Sequence, residues 1–352
     1  MNTINNFDSL NIPKELRIEV LKLKDSNTLS AVSIILFNYL LVALSIYLCY
    51  KVSFWFYLIS IVVIGSVQRV MANLLHEAAH GLLSPNKKLN DILGTYFTSY
   101  LILHLLIPYK KTHLHGHHPH CGDEEKDPDY NFQLSMGLYD DNERYSIFFL
   151  KNIILTLIGY RTIEYIRFIY NDRVFYDTKN LSRKNKNEFK KERLRFFALW
   201  VVILTTIGFS GLFLDFLIFW MIPLFTTYIT IGWIAELAEH YPLPESENAE
   251  LLLTRNRHGN GIENFIFGRH GDRYHLVHHL CPSIPCYRLK QAHEILRKSE
   301  AYCQWDDIWG GIFFRRLSNT ETLLSYTKKY REWKKNPKEK SFGRYMLYTS
   351  KP

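Results

Sequence analysis

Fifteen histidines stand in this chain of 352 residues, and most of them fall into short runs. His76-Glu77-Ala78-Ala79-His80 sets two imidazoles four residues apart. On a helix both share one face and can reach one metal ion. A second run is His113-Leu114-His115-Gly116-His117-His118-Pro119-His120, and a third is His275-Leu276-Val277-His278-His279. Between them, Glu236 and His240 are again four apart. Imidazole suits iron, zinc, copper or nickel. Nine or more imidazoles exceed what one ion takes, since zinc sites usually have about four ligands, so the set fits two metals. Neutral imidazoles need acceptors on their second nitrogen to orient the rings. Glu77, Asp127, Asp129, Glu236, Glu239 and Asp272 are the candidates for that role. One such histidine alone would be read as a surface or hydrogen-bonding residue; the set as a whole points to metal.

These runs need elements that bring them together. Four segments have the roughly 20 apolar residues that cross a bilayer. Residues 30–50 and 53–73 form one pair, joined by a short link containing Lys51, and the stretch 196–236 forms a second pair, interrupted near its middle by Gly208, Gly211 and Asp215. Two such apolar pairs are hard to bury without lipid. The expected architecture is therefore an all-α integral membrane protein with two transmembrane helical hairpins and a cytoplasmic helical cap. Its parts are a cytoplasmic amphipathic lead-in over 1–29, a membrane domain over 30–295 and a helical cap over 296–352, into which Trp305, Trp309 and Trp333 pack. Residues 92–108 are short for a span, and 145–170 mix apolar residues with Lys151, Arg161, Glu164 and Arg167. The first reads as in-plane or re-entrant, and the second as an in-plane amphipathic helix.

Charge sets the orientation. The net charge is +9, and Lys and Arg concentrate outside the links within the hairpins. The positive-inside rule then has both hairpins dip in from the cytoplasm, with the active site on that face. All the histidine runs reach one face only if 92–108 does not cross. The basic residues flank apolar runs and form no nucleic-acid stripe, so the partner surface is membrane lipid. The five cysteines (Cys49, Cys121, Cys281, Cys286 and Cys303) have neither disulfide-framework nor zinc-ribbon spacing, and read as reduced thiols. The polar N-terminus does not read as a secretory signal.

HEAAH, HLHGHH and HLVHH, in this order around two apolar hairpins, resemble the boxes of the membrane fatty acid desaturase superfamily. Those boxes have the forms HxxxH, HxxHH or HxxxHH, and HxxHH. Asp127-Pro128-Asp129 is similar to the DPD that follows box two in many members, and YHLVHHLCPSIPCYRL to the third box and its continuation. The resemblance covers roughly residues 55–295. It is nearest to a bacterial branch with rhizobitoxine-type and carotenoid-modifying enzymes. It implies two irons held by His76, His80, His113, His117, His118, His275, His278 and His279, with His240 matching an additional ligand. Glu236 stands where some members use an Asn that contacts metal through water, and is ligand, outer partner or neither. His115 competes with His113 for the register of box two. Cys281 stands where an aromatic is more usual.

The implied chemistry is removal of two hydrogens from an aliphatic chain, fatty acyl or lipid-like, to leave a double bond. No side chain is a strong enough oxidant, so iron with O2 as co-substrate carries that step. Desaturation of a small secondary-metabolite amino acid is an alternative substrate reading, and hydroxylation or ketolation an alternative outcome. The electrons come from a separate donor, ferredoxin or cytochrome b5-like, for which Lys184, Lys186, Lys190, Lys191 and Arg193 offer a basic surface; anionic lipid competes for it. HEAAH is also an HExxH, the zinc-peptidase signature, but that reading leaves the other two runs idle. A metal transporter would carry its histidines within the spans. His258 and His270 precede box three and read as neighbours of the site, not ligands; His293 and Cys303 have no assigned role.

Overall fold

The computed structural model of the protein describes residues 12–140, 143–245, 250–337 and 339–349. The first eleven residues of the expected lead-in therefore lie outside the described residues; a helix over Lys14–Leu21 follows them. In chain order come α1 (Thr28–Lys51), α2 (Tyr57–His80), α3 (Lys87–Tyr96), α4 (Leu106–Thr112), α5 (Thr162–Phe168), α6 (Arg183–Ser210), α7 (Thr227–Glu239), α8 (His275–Leu280), α9 (Leu289–Leu296), α10 (Glu300–Asp306) and α11 (Leu323–Lys335). Among the described residues strand structure is limited to one isolated bridge, Trp309 to Glu321. The expected all-α class holds.

Four helical stretches are long and apolar enough to cross a bilayer: Thr28–Lys51, Phe54–His80, Arg183–Ser210 and Phe213–Glu239. They coincide with the four expected spans. The third begins earlier than its apolar run, because Ser182 caps the helix by accepting from the Asn185 amide, so the basic residues 183–195 form its first turns. It ends at Gly211, whose φ of +73° is the left-handed conformation that closes a helix. Lipid is the natural cover for its sides: Val201 is 64% and Phe209 91% exposed.

The two ambiguous stretches are both bent. The chain turns by 91° between Lys87–Ile102 and Leu106–His120, and by 82° between Tyr145–Ile158 and Thr162–Val174. At the first break Leu103 adopts φ +64°. The carbonyls freed there find donors: Trp200 Nε1 to the Tyr100 oxygen and Trp220 Nε1 to the Leu101 oxygen, each at 3.0 Å. Such pairing is what lets irregular backbone persist inside an apolar unit.

By its contacts the chain forms two compact units. One comprises residues 27–114 and 155–231 and holds most of the apolar helices. Its core includes Val67, Met71, Ile102, Leu224, Tyr228 and Ile229. Within it, the Glu192 carboxylate on α6 is 1% exposed and accepts the Leu106 and Ile107 amides at 2.8 and 2.9 Å. An anion on the open amides of a helix N-terminus is favourable, and it anchors the start of the segment that leads to His113.

The other unit comprises residues 1–26, 115–154 and 232–352. Trp305 and Trp309 are its largest buried side chains, and Trp333 is 7% exposed. Within it Arg255, 1% exposed, caps the end of α7: Nε donates to the Ala238 oxygen and a terminal nitrogen to the Leu237 oxygen, both at 2.9 Å. The same guanidinium reaches the Tyr241 carbonyl and the Tyr326 hydroxyl. A cation on the last carbonyls of a helix fixes where the next residues emerge, and the residue that emerges here is His240. All five cysteines are free.

Candidate metal centre

The membrane-type unit brings together the first box and the start of the second. His76 and His80 occupy the last turn of α2, which Gly81 ends at φ +79°. The ring of His76 lies 4.8 Å from that of His80 and 4.6 Å from that of His113, and His80 and His113 are 5.5 Å apart, centroid to centroid. One nitrogen from each of the three falls within 4.8 Å of the others. Glu77, 1% exposed, sits beside His76 at 3.4 Å from Nδ1. His113 follows directly on α4 and stacks with Tyr109 at 5.2 Å.

The second unit gathers six more. His117, His240, His275 and His279 each offer a nitrogen within 4.8 Å of the rest. His275 Nε2 lies 2.8 Å from His240 Nε2 and 3.1 Å from His279 Nε2. His278 and His118 bring their Nε2 atoms to 3.1 Å. Box three is a short helix, α8, whose first amides are capped from outside: Asn256 Oδ1 accepts from Leu276 and Val277 at 3.1 and 3.4 Å.

The outer nitrogens explain why a metal fits this arrangement. His240 Nδ1 is held by the Leu253 carbonyl at 3.0 Å, and His117 Nδ1 by Asp127 at 3.1 Å. His275 Nδ1 lies 3.8 Å from Glu239. An acceptor on Nδ1 fixes the tautomer that leaves a lone pair on Nε2 of a neutral ring; at His117 the Asp127 charge outweighs burial and pushes the ring up to about 9, so a metal there would displace a proton. The convergence of such lone pairs at about 3 Å calls for a cation between them. Burial, reinforced by His117, pushes His240 down to about 3, so its ring is neutral at pH 7, as ligation requires. Burial alone would raise the Asp127 carboxyl, but His117 beside it and the Gly122 amide hold it down at about 2.

Local structure accounts for the DPD. Asp127 caps the helix Pro128–Ser135, accepting from the Asp129 and Tyr130 amides, and Pro128 follows at the first helical position. The same carboxylate serves His117, so capping and ring orientation share one side chain. Asp129 is farther, at 3.9 Å from His117 Nδ1. Residues 113–117 form a π-helical turn. Gly116 is required in it: a Cβ there would sit 2.9 Å from Pro128 Cδ and 3.1 Å from the Lys126 oxygen.

All nine expected ligand histidines thus fall in these groups. His115 does not: it is exposed and stands in neither. Glu236 is partly buried and close enough to act electrostatically on His117. Glu239 and Asp272 share one partner, Arg257, at 2.7 Å each. That arginine was not singled out by the sequence, nor were Leu253, Arg255 and Asn256, yet residues 253–257 orient His240, cap α7, cap α8 and pair Glu239. The signal available was two arginines in TRNR, downstream of a span, with no acidic residue adjacent. Cys121, also passed over, puts Sγ 3.7 Å from His240 Nδ1.

A sequence model of the family described as "Fatty acid desaturase" matches residues 52–306. The chain is also 31% identical to the dihydrorhizobitoxine desaturase of Bradyrhizobium elkanii over 325 residues, which is 92% of this chain and 90% of that protein. The match spans every histidine group described above, and the protein belongs to the fatty acid desaturase family.

Proposed function

We propose that the protein is an O2-dependent, di-iron membrane desaturase that introduces a carbon–carbon double bond into an aliphatic segment of its substrate. The observation that carries the reading is the convergence of His117, His240, His275 and His279 within 4.8 Å, with the outer nitrogens of His117 and His240 already engaged. These four are one iron's ligands. His76, His80 and His113, gathered in the membrane-type unit, would contribute to holding the second. When bound, the two irons with O2 provide the oxidising power to remove two hydrogens from adjacent carbons.

The chain's own residues do the rest. Asp127 and the Leu253 carbonyl hold the His117 and His240 rings in the tautomer that ligates, and the Glu239 carboxylate lies beside His275. Arg255 and Asn256 fix the two helix ends that carry His240 and box three. Gly81 ends α2 immediately after His80. Holding neighbouring carbons of the substrate in line is what separates desaturation from hydroxylation, and hydroxylase or ketolase activity is the competing outcome. The relative's name favours desaturation, and favours a small secondary metabolite over a fatty acyl lipid as substrate. The zinc-peptidase reading of HEAAH gives no task to the six histidines gathered in the other unit.

The hairpins cross the membrane from the cytoplasmic side, the metal centre lies on that side, and an external ferredoxin or cytochrome b5-like protein delivers electrons. The exposed Lys184, Lys186, Lys190 and Lys191 on the first turns of α6 support that docking. The test is expression with a matched electron donor, followed by metal analysis and mass spectrometry of products. About two irons per chain and a product two mass units lighter are expected, and His278→Ala abolishes the product. One zinc per chain, or full activity in His278→Ala, refutes the proposal. A product sixteen mass units heavier makes the protein a hydroxylase.

A further inference from the structure

Box three is held by a helix that follows it in the chain. The link is Asn256, whose side chain is bonded at both ends. Its Oδ1 accepts from the Leu276 and Val277 amides at 3.1 and 3.4 Å. Its Nδ2 donates to Asp306 Oδ1 at 2.7 Å and to the Tyr302 hydroxyl at 2.8 Å. Asn256, Tyr302 and Asp306 are all fully buried. A side-chain amide has one accepting end and one donating end, so it is oriented only by partners of fixed polarity. Helix amides can only donate, and an ionised carboxylate can only accept. Asp306 is ionised: burial alone would raise its carboxyl, but His258 at 2.9 Å, with His293 and the Asn256 amide, holds it down at about 2. Tyr302 cannot orient the amide by itself, because a hydroxyl donates or accepts as its surroundings ask; its oxygen also lies 2.8 Å from His293 Nδ1.

The first amides of a helix have no carbonyl of their own helix to bond, and α8 is only six residues long, too short to hold its shape unaided. Asn256 is the acceptor those amides use, and Asp306 decides which end of Asn256 faces them. We infer that Asp306 is a positioning residue for the metal centre, acting through Asn256 to set the start of the helix that carries His275, His278 and His279. His258 completes the arrangement as the second donor to Asp306 Oδ1. The same helix, α10, grips the neighbouring backbone, since Trp305 Nε1 donates to the Thr254 oxygen at 3.0 Å. Thr254 stands between Leu253, whose carbonyl holds His240 Nδ1, and Arg255, which caps α7. One face of α10 thereby reaches both box three and His240, all within the same unit. Only what the histidines bind rests on the desaturase reading.

The test is amide hydrogen exchange of the full-length protein in detergent micelles at neutral pH, read on the peptides carrying box three and α11, beside metal retention against a graded chelator. Asp306→Leu removes the acceptor and should speed exchange at Leu276 and Val277 by at least about tenfold, with metal released at a comparably lower chelator concentration. Asn256→Asp keeps an acceptor for the helix amides but sets two carboxylates face to face, and should do the same. Adding Asp306→Asn to it restores opposite polarity at the contact, with the amide now on the α10 side and His258 accepting through its other tautomer. That double variant should return to within about threefold of wild type in both readouts. Should Asp306→Leu not fold, the Asn256 and Asp306 interchange decides alone. The α11 peptide should exchange at the wild-type rate in every folded variant. A double variant no better than Asn256→Asp overturns the inference, as does wild-type exchange at Leu276 and Val277 in Asp306→Leu. So does equal acceleration in α11, which marks lost stability throughout the unit. One zinc per chain refutes the desaturase reading and leaves the effect on α8 standing.

Discussion

Asp127→Asn separates two tasks that one carboxylate performs. Asn caps a helix about as well as Asp, so the turn into Pro128–Ser135 should survive, with stability changed by less than about 1 kcal/mol. The charge facing His117 should not survive, because the Asn oxygen still accepts from Nδ1 but is neutral, and its Nδ2 turns a donor toward the Gly122 amide. The wild-type carboxylate accepts from His117 Nδ1 at 3.1 Å and is 1% exposed, with the Gly122 amide as a further donor at 3.0 Å. Its charge raises the basicity of the ring and fixes its tautomer. Loss of such an outer partner typically weakens metal affinity by about 10–100-fold, which is roughly 1.4–2.7 kcal/mol. The assay is iron retention by the full-length protein against a graded chelator, read by elemental analysis beside thermal denaturation. Asp127→Asn should release iron at about 10–100-fold lower chelator concentration with little change in melting. Asp129→Asn, 3.9 Å from the ring and 26% exposed, should shift release by less than about threefold. Wild-type retention in Asp127→Asn, or an equal effect at Asp129, refutes the argument that this pair tunes the centre.

Three further outcomes are expected. His113→Gln should abolish product formation while His115→Gln retains most of it, because only His113 joins the rings of His76 and His80; product analysis of the two variants side by side decides it. Arg257→Met should destabilise the protein by about 3–5 kcal/mol, since it strands the buried Glu239 and Asp272 without their cation; adding Glu239→Gln should recover part of that loss in a denaturation series, and no recovery would dissociate the pair. Burial holds His293 down at about 4, against about 6.5 for the unfolded chain. The unfolded state then takes up the proton first, so the contribution is full above about pH 6.5 and is lost as pH falls toward 4. It amounts to something on the order of 1–3 kcal/mol. His293→Gln should flatten the fall in melting temperature between pH 7.5 and pH 5 relative to wild type, and an unchanged slope would dissociate His293 from it.

The apolar spans, the break at Gly211, the eight boxed histidines and His240 were legible because each depends on short-range pattern: apolar run length, or imidazoles and carboxylates at three- and four-residue spacing. The register of box two was not legible, because HLHGHH offers two starting histidines, and the placement of His113 beside His76 and His80 depends on α4, whose N-terminus is tied by Glu192 about 85 residues away. The residues that orient the ligands were half legible. Asp127 and Glu239 are acids near histidines and could be nominated. The Leu253 carbonyl and Asn256 act through backbone groups of other elements, for which a linear sequence carries no mark. Arg255 reads as an ordinary charge until its burial is known.

The π-helical turn at His113–His117 bears on how family members are aligned. A π turn closes its hydrogen bond over one more residue than an α turn does, so it amounts to a single inserted residue absorbed within a helix. The HxxxHH spacing of box two here and the HxxHH spacing of other members then differ by a residue of backbone that is taken up inside the turn, and the ligands beyond it need not be re-aimed. A one-residue change of length at this position is therefore expected to be absorbed within the turn, where the same change in a loop would shift the residues that follow. Box two of a relative should be aligned by its final HH pair, with the gap placed inside the turn.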